Sequence, residues 1–247
     1  MRKVEEYREA LRGLADWEPF LLEHSGLPGP RANLELIDAV ADEADAAQLR
    51  RWATLSPDEA PAGGSEEFLA ACGVVGLGRL VASGETHELT ALRRLAGDPR
   101  WRVREAVAIA LQRWGDADFP GLLEEMRSWA RGSALERRAA VAALCEPRLL
   151  SSRERAREVL DLLGQVTAQL PGLSHRTSAE VRTLRKTLGY GWSVAIVASP
   201  EDGKERFEAL LASDDPDIRW LVRENLRKKR LERMDAAWTG EVLARTS

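Results

Sequence analysis

Apolar residues recur at helical spacing along almost the whole chain. Val4, Tyr7, Leu11 and Leu14 make one stripe, and Pro19 suits the first turn of a helix that continues into Phe20, Leu21 and Leu22. Ser25 to Pro30 is a Gly/Pro turn. After it, Leu34, Ile37 and Val40 predict a helix from about Arg31, and Leu49 and Trp52 a shorter one. Ser56 to Gly64, rich in Pro, Ala and Gly, is the longest break. Ser65 then reads as an N-cap, with Glu66 and Glu67 in the first turn where the helix dipole favours acids. The helix that follows, to about Val81, is apolar on every face and is expected to be buried. No strand with a hairpin turn stands out. The one short candidate, Ser193 to Val197, follows a helical pattern and reads as the end of a buried helix.

Turn chemistry adds a repeat. Gly97-Asp98-Pro99 predicts a helix stop, a cap and a first turn, leading into a helix from Arg100 to Trp114 that ends at Gly115. Ser213-Asp214-Asp215-Pro216 repeats the device, and Ser152 and Ser178 are further caps. Asp98-Pro99-Arg100-Trp101-Arg102-Val103 recurs loosely as Asp215-Pro216-Asp217-Ile218-Arg219-Trp220, which lies 117 residues on, or three units of 39. The segment from Trp101 to Ala108 also resembles Leu135 to Ala142. A helical hairpin cannot bury its own apolar face, so such units must stack on their neighbours.

Composition narrows the function. The chain has 247 residues, 44% hydrophobic and 31% charged, which suits a folded protein and not a disordered one. No apolar run reaches the ~20 residues of a membrane-spanning helix, and the acidic start does not resemble a signal peptide. A cytoplasmic protein without membrane attachment is the expectation. Cys72 and Cys145 stand far apart, and His24, His87 and His175 are dispersed, so neither a disulfide framework nor a metal site is expected. Residues 1–100 carry 18 acids and 11 bases, and residues 101–247 carry 22 acids and 25 bases. The second part therefore has the capacity for a basic face.

The Asp-Pro-x-x-Arg pattern followed by an Ala-rich helix resembles HEAT repeats. Three segments are more specifically similar to the HEAT-like alkylpurine DNA glycosylases: Gly97 to Arg104, Leu184 to Tyr190, and Asp215 to Trp220 running on to Leu231. The whole chain also resembles a group of bacterial HEAT-repeat proteins. The resemblance implies an all-α fold, a right-handed solenoid of five or six stacked hairpins with a concave basic face. It implies one domain over 1–247, with an irregular cap or degenerate repeats at 1–64, repeats at 65–233 and a tail at 234–247. The catalytic tryptophan and aspartate of the family fall on Glu66 and Ala70, so both functional side chains are missing. A pocket arginine falls on Arg104 and a pocket aromatic on Tyr190, with Trp192 close by.

Candidate binding residues follow. Arg219, Arg223, Arg227 and Arg230 are spaced to form one stripe on a helix, thickened by Lys228, Lys229 and Arg233. Arg102, Arg104, Arg137 and Arg138 recur at matched repeat positions, and Arg182 and Lys186 form an i, i+4 pair. Guanidinium groups suit bidentate phosphate contacts. Each set also has a bland reading, as solvated helix ends or as ties to a neighbouring acid. The tryptophans read mainly as packing residues, and Gly73, Gly76 and Gly78 as sites of close helix approach. The expectation is a non-catalytic module without cofactor, holding DNA or an acidic protein surface. The alternative is a diverged glycosylase for alkylated purines that uses Arg104, Tyr190 and Glu66 or Glu67.

Overall fold

The structure, a computed structural model, describes residues 2–246 and is all-helical. Among these residues fifteen α-helices follow one another without a strand. The chain divides into two compact units, Met1–Asp118 and Phe119–Ser247.

The first unit holds α1 (Arg2–Arg12), α2 (Glu18–His24), α3 (Leu34–Glu43), α4 (Ala46–Ala53), α5 (Glu66–Ala82), α6 (Glu88–Leu95) and α7 (Trp101–Ala117). Helix α5 is its centre, packed by α2, α3, α4, α6 and α7. Of its 17 residues, only Glu66, Arg79 and Ala82 keep appreciable exposure, as its uniform apolarity predicts. Its glycines let backbones meet. A Cβ on Gly73 would lie 2.3 Å from the Ala53 nitrogen, and one on Gly78 would lie 2.2 Å from the Ala110 carbonyl oxygen. Arg79 donates to the carbonyls of Asp42 and Ala44, closing the C-terminus of α3.

Helix starts differ from expectation in places. The helix foreseen from about Arg31 begins at Leu34, capped by Asn33, whose Oδ1 accepts from the Leu36 N–H. Ser65 makes no side-chain cap; the Glu67 carboxylate reaches back to the Gly63 N–H instead. Asp98 does not cap α7 and Pro99 lies outside it. Asp98 instead binds Arg100, the residue at the N-cap position, through its backbone N–H and both Nε and Nη2. Arg100 is 2% exposed and also donates to the carbonyls of Leu55, Ser56 and Ala60, which fixes the Ser56–Gly64 break from inside. Gly115 does not end α7 either. It is buried, and the helix runs two residues past it.

The second unit holds α8 (Phe119–Trp129), α9 (Ala134–Leu144), α10 (Arg153–Ala168), α11 (Ala179–Ala198), α12 (Pro200–Glu208), α13 (Pro216–Leu226), α14 (Lys229–Met234) and α15 (Ala236–Ala244). Here α11 is central, packed by α9, α10, α12, α13 and α14, and Ser193 to Val197 lie in its last turns. Ser152 and Ser178 cap α10 and α11 as expected. Asp215 caps α13 with Pro216 in the first turn, accepting from the N–H groups of Asp217 and Ile218. The Asp-Pro device thus performs its expected task at the second copy and not at the first. Residues 236–244, expected within the tail, form α15, capped by Asp235.

Candidate functional site

The arginine stripe foreseen on one helix is divided, because the helix stops. Ile218, Leu221, Val222 and Asn225 share a face at i, i+3, i+4, i+7. Carried on, that face would place Lys229 in the core and leave Leu231 off it. The chain breaks after Leu226 and restarts at Lys229, and Leu231 is fully buried. Buried Asn225 holds the end of α13 in place. Its amide donates to the carbonyls of Leu188 and Leu221, and its Oδ1 accepts from the Ser193 N–H at 2.9 Å.

This break gathers cations. Arg227, Lys228, Lys229, Arg230 and Arg233 line a cavity of about 800 Å³, whose apolar wall is Pro147, Leu150, Val194 and Val197. Glu224 takes the Lys228 ammonium at 2.6 Å and lies 4.0 Å from Arg227. Lys229, Arg230 and Arg233 are exposed and have no ion-pair partner among the described residues. Among the described residues no carboxylate lines the cavity. Nearby Cys145 is pushed up to about 12 by burial, against a smaller downward pull from Arg230.

The other half of the stripe faces elsewhere. Arg219 and Arg223 line a cavity of about 310 Å³ with Leu210, Leu211 and Arg245. Arg219 is tied to Asp214, and Arg245 to Glu208 at 2.8 Å. Arg182 and Lys186 are exposed on α11, where Arg182 donates to the Thr177 carbonyl at 2.6 Å. Tyr190 is half-buried. Trp192, expected beside an open aromatic pocket, is 1% exposed and donates from Nε1 to Thr167 Oγ1, because it fills the core against Phe207. Arg138 is 4% exposed on α9 and so belongs to the packed interior and not to an open face.

In the first unit, Arg104 donates to the carbonyls of Asp98 and Pro99, bracing the start of α7. Arg102 donates to Glu67 Oε2 at 3.1 Å and to the Gly29 carbonyl at 2.9 Å. Glu67 has no exposed surface. Arg102 is thus tied to a neighbouring acid, whereas the contacts of Arg104 run to the backbone of its own helix start.

A second arginine cluster escaped the sequence reading. Arg176 and Arg185 clasp Asp217, Arg176 also holds Asp215, and the Arg185 guanidinium lies 4.6 Å from the Trp220 ring centre. Burial pushes the Asp217 carboxyl up, but Arg185 and Arg176 outweigh it and hold it below the usual range. Glu85, His87 and Glu88 bring potential ligand atoms within 4.8 Å of one another. Arg50 already bridges both carboxylates, reaching Glu88 at 2.6 Å. The dispersal of histidines hides this local grouping, which an acid on either side of His87 would have signalled.

Comparison with protein-family models, with curated proteins and with solved structures finds no match to this chain. No helix among the described residues is long and apolar enough to cross a membrane.

Proposed function

We propose that the chain is a non-catalytic binding module of HEAT-like helical hairpins, and that its second unit holds the phosphate backbone of DNA. The observation that carries this reading is the cavity of five basic residues, in which, among the described residues, three cations have no ion-pair partner and no carboxylate joins the lining. Phosphate contacts require exposed cations that are not already neutralised. The hairpin arrangement is supported by neighbour packing, with α8 on α9, α9 on α10, α10 on α11 and α11 on α12. The absence of an acid from the lining favours holding over bond cleavage. A glycosylase role has less support: Glu67 is fully buried and Arg104 is engaged by backbone carbonyls, which leaves half-buried Glu66 as its one candidate carboxylate.

The test is fluorescence anisotropy of a labelled DNA duplex titrated with the intact chain at several salt concentrations. Each phosphate contacted adds about 0.9 to the slope of log affinity against log salt. The double variant Arg230→Glu, Arg233→Glu should weaken binding at least tenfold and reduce that slope by about 2. Absence of binding at low salt, or binding indifferent to both charge reversals, would overturn the DNA reading. Salt-sensitive association with an acidic protein, without binding to the duplex, would point to the acidic-protein partner instead.

A further inference from the structure

The first unit contains a cavity that the cationic site does not explain. It measures about 320 Å³ and is almost wholly apolar. Its floor comes from Phe68, Ala71 and Val75, which share one face of α5, and from Ile37 of α3. All four are buried. Trp101 and Leu34 line it as well, yet are 51% and 54% exposed. These are the two most exposed large apolar side chains among the described residues, and both belong to one cavity.

The entrance is held in a fixed shape. Asn33 caps α3 and donates to the Tyr7 hydroxyl and the His24 carbonyl, pinning one end of the 25–33 loop. Arg102 pins its middle through the Gly29 carbonyl. The Arg102 guanidinium also lies 4.6 Å from the Trp101 ring centre, a cation–π contact that steadies the indole. The charge of Arg102 is already matched by Glu67. Arg31 differs: it lines the cavity, is exposed, and has no hydrogen-bond or ion-pair partner among the described residues.

We propose that this cavity binds a small organic carboxylate, with its apolar body inside and its carboxylate on Arg31. Size sets the body. An apolar cavity of about 150 Å³ takes benzene, so twice that volume suits two fused rings or a medium-length acyl chain. Water fills such a space poorly, because about ten molecules would find few polar partners on its walls. Their displacement favours an apolar body. Charge sets the head group: of the three charged residues in the lining, Arg102 is matched by Glu67 and Glu105 has a partner of its own, which leaves the Arg31 guanidinium to take a carboxylate in bidentate fashion. Only residues of the first unit are involved, so the inference stands or falls separately from DNA binding.

Isothermal titration of the intact chain with 2-naphthoate, and with 2-naphthylmethanol as its uncharged counterpart, tests the proposal. Naphthoate should bind one to one and more tightly than the alcohol. Arg31→Gln, at an exposed position, should weaken naphthoate about tenfold and leave the alcohol unchanged. Ile109→Trp, which fills the cavity from α7, should abolish binding of both while circular dichroism stays helical. If neither compound binds, or if Arg31→Gln weakens both equally or neither, the proposal fails. Unaltered naphthoate binding to a folded Ile109→Trp variant overturns it too.

Discussion

A methyl group added at Gly78 and one added at Gly164 meet opposite surroundings, although both glycines sit inside helices. At Gly78 it would lie 2.2 Å from the Ala110 carbonyl oxygen, and at Gly164 it would meet nothing within 4 Å. Alanine gains ~1 kcal/mol over glycine in a helix interior. At Gly78 the backbone clash should exceed that gain, so Gly78→Ala is expected to lower stability by about 1–3 kcal/mol. Gly164→Ala should raise it by about 0.4–1 kcal/mol. Urea midpoints at unchanged slope read both. The same scale separates the two cysteines from chemistry. Cys72 and Cys145 are buried, and burial raises both thiols above their usual range, so they serve as packing groups.

Helices of the second unit are joined by charged side chains at their ends, and α10 with α12 gives a measurable case. Asp202, in the first turn of α12, accepts from Arg153 at 2.7 Å and from the Ser199 hydroxyl at 2.7 Å. Arg153 above all, then Ser199, hold its carboxyl at about 2, below the ordinary 3.8. A depressed carboxyl stabilises the fold above its unfolded value, and that contribution is lost as pH falls through the folded value. The stability difference between the wild type and Asp202→Asn should therefore be constant above about pH 5, shrink between pH 4 and 2, and vanish below. Urea unfolding across that range checks it.

Much of this element level was legible in the chain. Apolar spacing located α5 and α11, and serines marked the starts of α10 and α11. What escaped was decided by partners distant in sequence. Asp98 looks like a cap until Arg100 claims it from inside the core. Ser133 and Glu136, spaced as a capping box, are the local signal in the sequence for the start of α9. Charged spacing alone makes the stripe from Arg219 to Arg230 continuous, whereas the phase slip of Leu231 governs where α13 ends. At the candidate site, Arg227 and Arg230 do meet in one cavity, while Trp192 and Arg138 are drawn into the core by neighbours that spacing does not reveal.

At the scale of the whole chain, charge follows the division into units. Met1–Asp118 carries 14 basic and 21 acidic residues, and Phe119–Ser247 carries 22 and 19. The net of -4 opposes the long-range approach of a duplex, even where local cations favour contact. Glu23 and Glu35 are exposed and outside the ion pairs of the described residues. Glu23→Lys with Glu35→Lys is expected to speed duplex association by about two- to fivefold at 10 mM salt, where charges act over ~30 Å. At 150 mM salt the gain should disappear. Stopped-flow fluorescence measures both rates.

Helix α5 constrains how such a chain is able to change length. Each residue turns an α-helix by about 100°. One residue inserted before Gly73 would swing all that follows out of register, so that side chains with bulk would arrive where the Ala53 and Ala110 backbones leave no room. Additions and deletions are therefore tolerated at the surface turns between helices and excluded from this axle, whose length is set by its neighbours.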